Sequence, residues 1–120
     1  MNSKKAVGLV NGTYNDVAVV TNNNTVLGLA NGSAKIPLIS PIEIKSNSSI
    51  TFTTLSGSGN ATLIIYWLEG SYIEIPGTTI PHYFSSTYIG YHIEYIGVRF
   101  QYNNSKTIEI ALTIDNERVF

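Results

Sequence analysis

The residues with most chemistry to offer are His82, His92 and Glu94. In His92-Ile93-Glu94 the His and the Glu are two apart, which on a strand puts both on one face. With His82 in the preceding stretch, they make two imidazoles and one carboxylate, the donor set of an open metal site. Such sheet-borne sites take their second His from a later strand, and no His follows His92. The pair reads more simply as the polar face opposite Tyr91, Ile93 and Tyr95, and no metal is expected. No Gly-x-Ser-x-Gly elbow accompanies the serines. Ser56-Gly57-Ser58-Gly59 lacks the Lys and the helix of a phosphate loop. There is no cysteine, and the 8 acids fall mostly on strand faces among polar neighbours. The chain is therefore expected not to be an enzyme and to need no cofactor.

The elements that carry these residues read as strands. From Thr107 to Ile114 the sequence alternates, with Ile108, Ile110, Leu112 and Ile114 facing one way. Such alternation marks a strand with one buried and one wet face. Tyr88 to Tyr102 alternates too, but its phase flips. Ile89, Tyr91, Ile93 and Tyr95 form one row, while Ile96, Val98, Phe100 and Tyr102 form another. A one-residue slip reverses every face. A bulge or corner is expected at Tyr95-Ile96-Gly97, with Gly97 absorbing the strain. Asn103-Asn104-Ser105-Lys106 would join the two arms as a long hairpin. The first arm could then serve two sheets.

Upstream, Ala6–Val10, Thr13–Thr21 and Thr25–Ala30 read as a meander with Asn-Gly and Asn-rich turns. Lys35–Ser46 carries Pro37 and Pro41, so it is an edge strand or a crossing between sheets. Ile50–Leu55 places Ile50 and Phe52 on one face. Ala61–Glu69 is apolar on both faces and reads as a central strand covered on both sides. Tyr72–Ile75 is short, and Thr78–Ser86 is the main irregular loop. About 8–10 strands at spacings of roughly 8–12 residues indicate one all-β domain over 1–120, an antiparallel sandwich or barrel. A jelly-roll-like order is favoured over an immunoglobulin-like one. The segments 1–5 and 115–120 are expected to be short terminal arms.

Composition narrows the function. Charged residues are 12% of the 120, against roughly 25% in an average soluble domain. A net charge of −1 supplies no drive toward nucleic acid or an anionic membrane. No apolar run is long enough to span a bilayer as a helix. Asn11, Asn23, Asn31, Asn47, Asn60 and Asn103 each begin an Asn-x-Ser/Thr acceptor pattern where about 2–3 are expected by chance. All six fall in expected turns, where glycans attach. Turns are also rich in these residues, so the pattern arises there passively too. Trp67 is expected in the core. The tyrosines at 72, 83, 88, 91, 95 and 102 are assigned to core and interface before a sugar-stacking platform.

In strand count and in its Asn, Ile, Tyr and Thr content, the chain resembles the small single jelly-roll proteins of virus capsids, turrets and spikes. It is similar in particular to virion proteins of viruses of thermophilic archaea, several of which are glycosylated. The resemblance implies a structural subunit that binds copies of itself and other virion proteins, assembled in the host cytoplasm and located in the virion. The retained Met1 and a broken leader-like segment fit that expectation. Tyr91, Tyr95, Val119 and Phe120 are the expected interface residues. Deleting residues 116–120 is expected to weaken assembly more than folding. The alternative is an extracellular or cell-surface adhesin, filament subunit or carbohydrate-binding module that grips a glycan.

Overall fold

A computed structural model describes residues 9–10, 12–14, 17–20, 25–28, 33–57, 61–76, 81–100, 106–115 and 117–119. Among the described residues, eleven strands form two packed antiparallel sheets: β1 (Gly12–Tyr14), β2 (Val17–Val20), β3 (Thr25–Gly28), β4 (Ser33–Glu43), β5 (Ser49–Gly57), β6 (Ala61–Trp67), β7 (Tyr72–Pro76), β8 (His82–Tyr83), β9 (His92–Phe100), β10 (Lys106–Ile114) and β11 (Glu117–Arg118). One sheet runs β1-β2-β3-β10-β5-β8 with β11 on β10. The other runs β4-β9-β6-β7. The all-β sandwich read from the sequence is the fold.

The pairings nest. β6 pairs β7, β5 pairs β8, β4 pairs β9 and β3 pairs β10, all antiparallel. Between β3 and β10 only the β6–β7 connection stays within a sheet; every other step crosses to the opposite layer. That corrects the long hairpin expected from Tyr88 to Ile114. β9 and β10 are consecutive but do not pair. Each has one apolar face, and the sandwich sets those faces opposite each other across the core. Ile93, Ile96, Val98 and Phe100 of β9 and Ile108, Ile110 and Leu112 of β10 are all buried in one cluster. Fully burying such a side chain contributes about 1.5–3 kcal/mol.

The phase flip in β9 is a bulge, but it does not divide the strand between sheets. Tyr66 pairs with Tyr95 and Trp67 with Ile93, which leaves Glu94 as the extra residue. The inserted residue returns Ile93 to the face that Ile96 occupies, so both apolar rows enter the same core. Gly97 is not the bulged residue. A Cβ there would lie 2.8 Å from Tyr66 Cε2 and 2.9 Å from Ile64 Cβ. Its missing side chain admits the neighbouring strand's side chains instead. On the other flank β4 loops out between Pro37 and Ile42. β4 is an edge strand, as its prolines require, and the carbonyl of Pro37 accepts the N–H of Val10 at 2.9 Å.

Other boundaries move. Thr13–Thr21 is not one strand: it is divided between β1 and β2, which pair antiparallel, Tyr14 with Val17. Tyr88–Tyr91 precedes β9 as a 3-10 turn (Ser86–Tyr88) and bend, and Ile89 is exposed. The stretch after Pro81 contributes β8, which pairs with the start of β5. β6 is central, but only one of its faces meets the opposite sheet. Ala61, Leu63, Ile65 and Trp67 join the core cluster, whereas Ile64 and Tyr66 lie on the outer face.

The C-terminal segment folds back on its own domain. Asp115 turns the chain at φ 50°, and β11 pairs with Thr113 and Ile114. β5 already occupies the other flank of β10 as far as Thr113, so β11 covers the edge that β3 leaves open. Val119 donates its N–H to Leu112 O at 2.8 Å and packs against the core. Phe120 lies outside the described residues. Removing residues 116–120 is therefore expected to lower folding stability as well, by roughly 1–2 kcal/mol for a half-buried Val and an uncovered strand edge. Urea denaturation of the shortened chain checks this; an unchanged midpoint would restore the segment as a free arm.

Candidate functional site

His92, His82 and Glu94 do not converge. His92 opens β9 and turns toward Glu69 in the β6–β7 turn. Glu69 accepts the His92 backbone N–H through Oε1 at 2.8 Å and meets Nδ1 through Oε2 at 2.6 Å. His82 stands on β8 in the other sheet, its ring edge-on to Phe84. Among the described residues no three His, Asp or Glu side chains are grouped to hold a metal ion. Glu69 reaches His92 from 23 residues away, and nothing in the local pattern announces it.

The Glu69–His92 clamp has a pH signature. The backbone N–H of His92, then its imidazole, hold the Glu69 carboxyl below the ordinary value of 4.5. A carboxyl depressed in the folded state binds fewer protons there than in the unfolded chain. Its stabilisation is complete above that ordinary value and is lost as pH falls through the lowered one. A Glu69→Gln variant should differ from the parent in urea midpoint at neutral pH, and the gap should close as pH falls through the lowered value. A gap independent of pH would show that the ionised carboxylate is not what matters.

Tyr91 and Tyr95, expected in one row, are separated by the bulge. Tyr91 joins an aromatic cluster at one end of the sandwich. Trp67 stacks on Tyr88 at 4.9 Å and 16°, and meets Phe84 and Tyr91 edge-on at 5.8 and 5.5 Å. Trp67 is a core residue, as expected, at 3% exposure. Among the described residues its Nε1 has no hydrogen-bond partner. Of the acceptor asparagines, Asn47 is exposed in a left-handed turn (φ 57°) closed by Ser48, whose Oγ bonds the Lys45 backbone at both N and O. Asn11, Asn23, Asn31, Asn60 and Asn103, and Tyr102, lie outside the described residues.

Tyr95 belongs to the outer face of the four-stranded sheet, where the most distinctive constellation lies. Lys35 on β4 places Nζ 4.6 Å from the ring centroids of both Tyr66 and Tyr95. Tyr66 in turn meets Tyr72 at 5.8 Å. Lys35 pairs with Gly97 from one side and Ile64 pairs with it from the other. A groove of about 360 Å³ spans this region, lined among others by Ser33, Lys35, Ile64, Tyr66 and Arg99. Arg99 Nη2 approaches Glu74 Oε1 at 3.4 Å, a long contact between half-exposed groups.

No family model, curated protein or solved structure matches this chain.

The groove was not foreseen. Lys35, Tyr66 and Arg99 come from three strands of one sheet, and the sequence reads Tyr66 as part of a strand covered on both faces. The usable signal was Gly97: a glycine inside a strand often marks the close approach of a neighbour.

Proposed function

We propose that this chain is a virion structural protein, a capsid, turret or spike subunit built as a jelly roll, that acts by assembling with copies of itself and with other virion proteins. The nested pairing of β3 through β10 carries the reading, because two sheets filled in this order correspond to paired Greek keys. Viral capsid domains, lectins and cupins share that architecture, so the surface has to choose among them. Leu68 and Ile89 are exposed at the end of the sandwich where β6 finishes and β9 begins, and Tyr72 and Tyr83 are exposed beside them in sequence at β7 and β8. With charged residues at only 12%, little repulsion opposes contact between such surfaces. Exposed apolar and tyrosine side chains of this kind suit subunit contacts.

Light scattering on the purified full chain, with electron microscopy of concentrated samples, tests the proposal. Discrete oligomers or larger assemblies are expected. Combining Leu68→Ser and Ile89→Ser should dissociate them while leaving the urea midpoint nearly unchanged, since both side chains are exposed. A monomer at every concentration, alone and with other virion proteins, would refute it.

A further inference from the structure

We propose that the outer groove bounded by Lys35, Tyr66 and Arg99 binds an acidic saccharide, a pyranose carrying a carboxylate or a sulfate. The proposal stands apart from the assembly reading and holds for a monomer as well. Lys35 decides the charge of the ligand. Among the described residues it has no carboxylate partner; its ammonium is held between two ring faces instead. Ring quadrupoles position a cation without neutralising it. The groove therefore presents a localised positive charge that an ion-paired lysine would not. Arg99 adds a second cation at the Ser33 end, and its long contact with Glu74 engages one guanidinium nitrogen, leaving further donors for a bidentate oxyanion.

The walls decide the rest. Tyr66 leans over Gly97, and with Ile64 it gives an apolar wall against which the C–H face of a sugar can lie. A volume of about 360 Å³ is at the small end of ligand sites, roughly 300–1,000 Å³, and open enough for a short saccharide. A nucleic-acid strand is a poorer occupant. It requires a run of cations along its phosphates, and this groove offers two in a chain of net charge −1.

The test is an amide NMR titration of the full chain with four probes: a disaccharide ending in glucuronic acid, its sulfated counterpart, its neutral counterpart and a short oligothymidylate. The acidic probes should shift the amides of Lys35, Tyr66, Gly97 and Arg99, and bind roughly tenfold more tightly than the neutral sugar. Lys35→Gln should bring the acidic probes down to the neutral level, and Arg99→Gln should do so in part. Both positions are solvent-facing, and the amide spectra report whether each variant keeps the fold. If only one acidic probe binds, the site selects carboxylate or sulfate accordingly. No shift with either acidic probe, equal binding of the neutral sugar, acidic binding untouched by both folded variants, or binding of the oligothymidylate alone would each overturn the proposal.

Discussion

Replacing Trp67 by alanine is expected to cost about 3–5 kcal/mol, a large part of the roughly 5–15 kcal/mol that holds a domain together. The indole is almost wholly buried and is the hub of three ring contacts, to Tyr88, Phe84 and Tyr91. Aromatic pairs contribute about 0.5–1.5 kcal/mol each beyond the area they bury. These rings belong to segments that the strand ladders hold weakly: Phe84 follows the two-residue β8, and Tyr88 lies in the 3-10 turn. Removing the hub should loosen this end before the sheets separate. Trp67→Phe should cost much less than alanine, for two reasons. It keeps an aromatic ring in the site, and it deletes a buried N–H that has no partner among the described residues. An unsatisfied buried donor carries a penalty of about 1–3 kcal/mol. Urea midpoints of the two variants measure the contrast. A phenylalanine variant as unstable as the alanine one would show that indole shape, not aromatic contact, sustains the cluster.

How far the sequence could be read depends on the range of each interaction. Strand β10 was legible because alternation is local: Ile108, Ile110 and Leu112 are all fully buried. Of the meander expected from Ala6–Val10, Thr13–Thr21 and Thr25–Ala30, only the antiparallel pairing of β2 with β3 was legible; Gly12, read as part of a turn, lies in β1, and, among the described residues, Leu9 bridges Leu38 of β4 instead of pairing with the strand that follows it. The partners of β9 were not. Turn residues report that the chain reverses, but not whether the returning strand pairs with its predecessor or crosses to the opposite sheet. The phase flip at Tyr95–Ile96 correctly announced an irregularity, yet alternation alone could not say that the bulge would return both rows to one core. The C-terminal residues read as an arm that docks on a neighbour because the partner of β11, the open flank of β10, exists only in the assembled sheet.

The candidate site was less legible than the fold. His92 and Glu94 attracted notice because they are close in sequence, and the working partner of His92 is Glu69, 23 residues away. Lys35, Tyr66 and Tyr95 come from β4, β6 and β9, and only the sheet order sets them side by side. Lys35 and Arg99 pair into the same sheet from β4 and β9, so two scattered cations of a charge-poor chain come to border one groove.

Gly97→Ala is expected to destabilise the four-stranded sheet by about 1–3 kcal/mol, and Gly97→Val by more. The backbone conformation of Gly97 is not the reason, since the strand is extended there and accepts any residue. The reason is space. The new Cβ would meet Tyr66 Cε2 at 2.8 Å, which a ring rotation can relieve, and Ile64 Cβ at 2.9 Å, which it cannot. Ile64 Cβ is fixed to the backbone of β6, so β6 and β9 would have to shift where they pair. The two contacts can be separated. In a Tyr66→Ala background the ring clash disappears, and if the ring were the whole obstacle Gly97→Ala would become harmless. Because Ile64 Cβ remains, part of the cost should persist. A double-mutant cycle read by urea denaturation isolates that part. The same substitution should push the Tyr66 ring off its position over Gly97 and so alter its approach to Lys35. Loss of the coupled Lys35 and Tyr66 chemical shifts, together with the fall in stability, would tie the glycine both to the close packing of the sheet and to the shape of the groove on its outer face.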